Sequence, residues 1–206
     1  MELRSLTPED RPGQDRLMSE AFSAGRRPAP ISEEPGQKDS ESQPPVLGVF
    51  EGSRLVASLT IQELHLFWGS DIVPLGGIAG VACAADQRGR GHVGRLLKES
   101  LRTMRDAGQY LSGLFPFSVA FYRRYGWDWV GEKRTFTVPT AAIVAYPEGK
   151  HLRAYEGPDA LDIVRPLYES FARRHRGMTT RTGPEPDFWE QALKHRDNRT
   201  TYVQVY

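Results

Sequence analysis

Between residues 83 and 93 the hydrophobic period of this chain changes, and that change constrains the fold more than any other feature. Upstream, three runs read as strands: "VLGVFEG", "RLVASLTIQELHLFW" and "PLGGIAGVACAA". They carry β-branched and aromatic residues, and "GSDIV" between the last two reads as a hairpin turn. Downstream, Val93, Leu96, Leu97, Leu101 and Met104 recur at helical spacing, with Arg95, Lys98, Glu99, Arg102 and Arg105 elsewhere. Gly108 is a natural helix stop. "YLSGLFPF" reads as the next strand and "KRTFTVP" as another. With "MELRSL" as an opening strand and a short amphipathic helix over residues 14–22, the order is β–α–β–β–β–α–β–α–β. That order describes an α/β fold with a mixed, mostly antiparallel sheet flanked by helices.

Past residue 150 the pattern starts again. Placing residue 3 on residue 152 matches Leu3, Arg4, Asp10, Arg16, Glu20 and Phe22 with Leu152, Arg153, Asp159, Arg165, Glu169 and Phe171. A second copy of the same βα unit follows from this. The expected division is residues 1–145 as one domain and 146–206 as the start of another, truncated one. Residues 24–45, rich in Pro, Gly, Ser and charge, read as a surface loop or a lid.

Composition narrows the function classes. With 26 acidic and 27 basic residues there is no bulk attraction to nucleic acid or to a membrane surface. Cys83 is the sole cysteine, which excludes an intramolecular disulfide and a cysteine-based metal cluster. The charged start "MELRSLTPEDR" is unlike a signal peptide, and no apolar run approaches the ~20 residues of a membrane span. A cytoplasmic location is expected.

The chemistry begins where the period changes, at "GIAGVACAADQRGRGHVGRLL". A strand enters a loop holding Arg88, Gly89, Arg90 and Gly91, and a helix starts at once. Free backbone N–H groups at a helix N-terminus, glycines that let backbone approach a ligand and diffuse arginine charge together suit a pyrophosphate. Gly89, Gly91 and Gly94 spell G-x-G-x-x-G, but the acid a dinucleotide fold places about 20 residues on is missing from "GQYLSGLFPF". A tight turn with solvated arginines is the plainer reading. The second chemical stretch is "SVAFYRRYGWDW", where Tyr122 and Tyr125 stand three residues apart, so helical period cannot rank them.

These two stretches, at this spacing, resemble the GNAT N-acetyltransferases. "LFPFSVAFYRRYGWDW" resembles their Eis-like (enhanced intracellular survival) branch. In the general signature Arg/Gln-x-x-Gly-x-Gly/Ala, Arg88 and Gly91 fit, while Val93 fills the final small position, a departure Eis-like members share. The resemblance implies a GNAT fold, with residues 151–206 similar to the start of the second GNAT-like domain. It implies that the backbone of Val81, Ala82 and Cys83 pairs with the pantetheine arm of acetyl-CoA as cosubstrate. The N–H groups of Arg88, Gly89, Arg90, Gly91, His92 and Val93 would hold its pyrophosphate. It further implies a polyamine, lysine or aminoglycoside amine as acceptor, no metal and a homo-oligomer.

By the same resemblance Tyr122 is the general acid and Tyr125 a packing aromatic; Trp127 and Trp129 read as core and interface packing. Tyrosine suits that task. A phenol of pKa about 10 donates to a thiolate whose acid lies near 8.5 at an uphill cost of about 2 kcal/mol. A lysine-like amine costs about 4–5 kcal/mol to deprotonate at pH 7, so a base is wanted too. The run "GGIAGVACAA" holds no carboxylate, leaving Glu63, His65 or a water. Eis-like proteins use their C-terminal carboxylate, from a third domain with no counterpart here. Glu33, Glu34, Asp39 and Glu41 are candidates for an acidic acceptor pocket. A non-catalytic acyl-CoA-binding module is the alternative to an enzyme.

Overall fold

The computed structural model describes residues 1–22, 44–132, 134–142, 153–154, 159–181 and 204–205. They group into two compact units: Met1–Leu66 with Val73–Asp128, and Phe67–Ile72 with Trp129–Tyr206.

The first unit is built on a five-stranded sheet of order β1-β2-β3-β4-β5. Strand β1 spans Glu2–Ser5, β2 Val46–Glu51, β3 Arg54–Trp68, β4 Asp71–Cys83 and β5 Leu111–Leu114. Strands β1 and β2, and β2 and β3, pair antiparallel. Gly69 and Ser70 alone separate β3 from β4, so these two also run antiparallel. The break is β4 against β5, which pair parallel from Leu75↔Leu111 to Ile78↔Leu114. Parallel neighbours need a crossover, and helix α2 (His92–Asp106) supplies it.

Each face of this sheet carries helix. On one, Leu17 of α1 (Arg11–Phe22) packs with Phe50, Leu55, Ala82 and Ala84. On the other, Leu96, Leu97 and Met104 of α2 pack with Leu47, Val49, Leu59, Ile61 and Ile78. Strand β4 changes parity between these faces. Ile78 faces α2, and so do Val81 and Cys83, while Ala82 and Ala84 face α1. The switch is made at Gly80, whose φ of +57° is open to glycine and marks a bulge in the strand. The turn before α1 is pinned from β1: Arg4 donates to both carboxylate oxygens of Asp10, and the Thr7 N–H donates to the same carboxylate at 2.8 Å.

In the second unit, α4 (Asp159–Ala172) is followed by backbone that returns to the β3–β4 tip. The Phe67 N–H donates to the Met178 carbonyl at 2.8 Å, and the Gly177 N–H to the Phe67 carbonyl at 2.9 Å. Arg173 lies over the Phe67 ring, and the Tyr168 hydroxyl donates to the Thr179 carbonyl at 2.7 Å. A two-stranded antiparallel sheet joins β6 (Arg153–Ala154) to β7 (Gln204–Val205).

Three expectations from the sequence change. The β3–β4 turn is two residues, because Asp71–Val73 continue as strand. Strand β5 ends at Leu114, short of Pro116, where its pairing with β4 stops at Ile78. Residues 134–139 form no strand, and Phe136 and Val138 stand exposed. The candidate lid of residues 24–43 lies outside the described residues, as do Glu33, Glu34, Asp39 and Glu41.

Candidate active site

Strand β4 outruns its parallel partner. Among the described residues no strand pairs with 79–83 on the β5 side, so the backbone of Val81, Ala82 and Cys83 offers a free edge. An extended ligand carrying amides meets such an edge as another strand would. Cys83 itself is half-buried, burial pushes its thiol pKa up, and its Sγ–H points to the Ala84 carbonyl at 3.6 Å. That is the setting of an inert packing cysteine.

The free edge runs into a stem and then a mouth. The stem is a single 3-10 turn, Ala85–Gln87. The mouth is Arg88, Gly89, Arg90 and Gly91, all exposed. Gly89 and Gly91 take φ of +78° and +81°, and an added Cβ at either would have nothing within 4 Å. Gly91 caps α2 in the left-handed conformation. The first bond of the helix is the Arg95 N–H to the Gly91 carbonyl at 3.1 Å, so the amides of His92, Val93 and Gly94 precede the helical ladder. Open backbone donors at the positive end of a 15-residue helix, flanked by two guanidinium groups, suit an anion.

His92 follows the exposed mouth, but its side chain is buried. Its ring is 5% exposed, and neither ring nitrogen has a hydrogen-bond partner. A buried polar group in that state destabilises the fold by about 1–3 kcal/mol. His92→Leu is therefore expected to leave the thermal midpoint of unfolding unchanged or raised. A lowered midpoint would show that the imidazole contributes a contact to the fold.

The aromatic stretch packs into the core on the α2 side of the sheet. Ser118 caps the short helix α3 (Val119–Arg123), accepting from the Phe121 N–H at 3.3 Å. Tyr122 is 3% exposed and belongs to the α2-side core. Phe117 and Phe121 meet its ring edge-on at 5.3 and 5.2 Å, and Trp127 at 6.5 Å. Burial pushes the Tyr122 phenol pKa up, so the hydroxyl is protonated at neutral pH. Trp127 is itself tied down. Its indole N–H donates to Ser112 Oγ at 3.1 Å, and Ser112 Oγ donates to the Gly76 carbonyl at 2.9 Å. The β4–β5 pair is thus linked, through its Gly76↔Ser112 rung, to the Trp127 ring that packs on Tyr122.

The structure separates the two tyrosines. Tyr122 lies within α3, whereas Tyr125 follows its cap, Arg124. Tyr125 reaches α2, where a Cβ on Gly94 would sit 2.3 Å from its hydroxyl oxygen. Gly94 is glycine so that Tyr125 can rest on the first turn of α2. Trp127 packs as expected, but Trp129 is 62% exposed. Glu63 and His65 are exposed on β3. Among the described residues no cluster of three or more His, Cys, Asp or Glu side chains is placed to hold a metal.

Sequence reasoning missed the contacts that hold the stem. Arg54 makes a two-pronged pair with Asp86, both bonds 2.8 Å, and Gln87 Nε2 donates to Glu51 Oε2 at 3.1 Å. The Arg54 bond holds the Asp86 carboxyl pKa down, to about 2.

Residues 2–130 match the family model described as "Acetyltransferase (GNAT) domain". Two uncharacterized N-acetyltransferases of Streptomyces avermitilis are 27% and 25% identical over 140 and 143 residues, covering 66% of this chain and 34% of each relative. The chain thus spans about a third of the length of the curated relatives it matches. Among solved structures, the GCN5-related N-acetyltransferase of Anabaena variabilis superposes over 99% of this chain and 50% of its own, with a TM-score of 0.67 at 19% identity. Eis1 of Mycobacterium abscessus does so over 100% and 51%, at 0.67 and 16%. At these identities the likeness is one of fold. The matched span contains the β4 edge, the glycine–arginine mouth and α3, and by that match the chain belongs to the acetyltransferase (GNAT) domain family.

Proposed function

We propose that this chain binds acetyl-CoA and transfers its acetyl group to a primary amine, as the first domain of an Eis-like N-acetyltransferase. The observation that carries the reading is the continuity of the free β4 edge with the left-handed glycine mouth at the start of α2. An edge for amides followed directly by a cradle for anions fits the pantetheine and diphosphate of CoA, in that order. Val81, Ala82 and Cys83 serve the first by their backbone. Arg88, Gly89, Arg90, Gly91, His92 and Val93 serve the second.

The transfer itself balances simply. The amine nitrogen attacks the thioester carbonyl carbon; a C–N bond forms, the C–S bond breaks, and the electron pair goes to sulfur. Tyr122 gives its phenolic proton to the departing sulfur, and the amine's proton leaves to water or a base. Because burial raises the Tyr122 pKa, the proton transfer is uphill by more than about 2 kcal/mol, to be offset by the hydrogen bond that strengthens as charge reaches sulfur.

By the same resemblance the acceptor is a polyamine, a lysine side chain or an aminoglycoside, and the working form a cytoplasmic homo-oligomer. Residues 146–206 begin a second GNAT-like domain. In support, β6 and α4 follow one another as β1 and α1 do. No helix among the described residues is long and apolar enough to cross a membrane.

Titration calorimetry with acetyl-CoA, paired with a thiol-release assay over these three amine classes, tests the reading. Binding with thiol release on at least one amine is expected. Absence of binding overturns the proposal. Binding without release on any amine leaves a non-catalytic acyl-CoA module.

A further inference from the structure

The mouth of the loop is open and its stem is not, and the difference has a source outside the loop. Asp86 and Gln87, in the stem, are both held from the β2–β3 turn. Arg54 opens β3 and faces Asp86 through two parallel N–H···O bonds of 2.8 Å. Glu51 closes β2 and accepts from Gln87, whose side chain lies in a residue only 4% exposed. The Ala84 N–H donates to the Val56 carbonyl at 2.9 Å, so β3 also holds the stem's root. Past Gln87 the contacts thin: Arg88 Nε donates to the Cys83 carbonyl at 3.4 Å, and Gly89 and Gly91 touch nothing where a Cβ would be.

As a stability device the Arg54–Asp86 pair is poor. Its side chains are 53% and 55% exposed, and exposed pairs of this kind contribute little to folding. Its geometry is nonetheless that of a fork on a carboxylate, which fixes orientation as well as distance. A flexible loop binds its ligand with an affinity reduced by the fraction of time it holds the competent shape. A brace on the stem raises that fraction without touching the ligand.

We propose that Arg54, Asp86, Glu51 and Gln87 are positioning residues for the diphosphate cradle, setting the direction in which the Arg88–Gly91 mouth presents its amides. The inference rests on the reading of that mouth as the acetyl-CoA diphosphate site. Four residues from three elements act as one device: the turn between β2 and β3 orients a loop that begins 32 residues later, at Asp86.

The test separates positioning from general damage by using two thioesters. Acetyl-CoA carries the diphosphate; acetyl-pantetheine does not. Calorimetric Kd values for both are measured on the full chain with Arg54→Ala, with Asp86→Asn and with the charge reversal Arg54→Asp/Asp86→Arg. Each single variant is expected to weaken acetyl-CoA by about 3- to 5-fold and leave acetyl-pantetheine unchanged. The reversal restores most of the loss, and the thermal midpoints of the single variants stay within a few degrees of the parent. Equal weakening of both thioesters, or no weakening of either, overturns the brace. A parent chain that binds acetyl-pantetheine and acetyl-CoA alike overturns the reading of the mouth instead. Asp86→Asn preserves shape, so it decides the matter where Arg54→Ala folds poorly.

Discussion

Tyr122→Phe is expected to lower the rate of acetyl transfer by about 10²–10³-fold while acetyl-CoA affinity stays at the parent value. The change removes one oxygen from a pocket walled by Phe117, Phe121 and Trp127, and a phenylalanine ring keeps all three contacts. Stability is therefore a weak readout and the rate a strong one. Two further measurements make the prediction specific to proton donation. A thioester whose thiol is more acidic needs less help in departing, so the gap between parent and variant narrows as the leaving group improves. The pH profile carries the second. A phenol whose pKa is raised stays protonated beyond its ordinary value of about 10, so no alkaline loss of rate from this group appears below that pH. A variant that retains most of the parent kcat on the same amine removes Tyr122 from the role.

Gly91→Val is the second large effect, and it falls on binding. An added Cβ at Gly91 meets nothing within 4 Å, so crowding is no part of the cost. The cost is conformational: at φ +81° a β-branched residue is strained by about 1–3 kcal/mol. The loop relieves that strain by leaving the left-handed conformation, and the amides of His92, Val93 and Gly94 turn away with it. Acetyl-CoA affinity is expected to fall by about 10- to 100-fold, which is about 1.4–2.8 kcal/mol. Gly108→Val is the control. Gly108 has φ +76° and open space too, but lies past the far end of α2. It should lower the thermal midpoint comparably and leave affinity alone. Equal loss of affinity in both variants would mean that helix stability, and not the mouth, governs binding.

What the sequence carried and what it withheld divide along a physical line. Strand β3 and helix α2 were legible because hydrophobic period is written into neighbouring residues. The bounds expected for β3 are those observed, Arg54–Trp68. The glycine–arginine mouth was legible for the same reason, since left-handed backbone at a helix start needs glycine locally. Strand β5 was overextended because its length is set by where its pairing with β4 stops, at Ile78↔Leu114, and not by its own residues. The stretch after residue 133 has the composition of a strand, but pairing decides, and among the described residues it has no partner. Tyr122 and Tyr125 were inseparable by period, because the point where α3 stops depends on Gly126 at φ +103° and on the space above Gly94. The stem brace joins residues 32 and 36 positions apart, which no local pattern reports.

The parallel β4–β5 pairing has a consequence in time. With the β1–β2 pair, whose Leu3 and Val49 are 46 residues apart, it is a pairing of the sheet that must close a long loop, since Gly76 and Ser112 are 36 residues apart. Closing so long a loop costs entropy before any hydrogen bond returns it, so this rung belongs to the late, slow part of folding. The whole mouth and α2 lie on the segment that must be placed first. A chain that has formed only its hairpins is a meander without a cradle, so the capacity to bind should appear with the last phase of refolding and not before it.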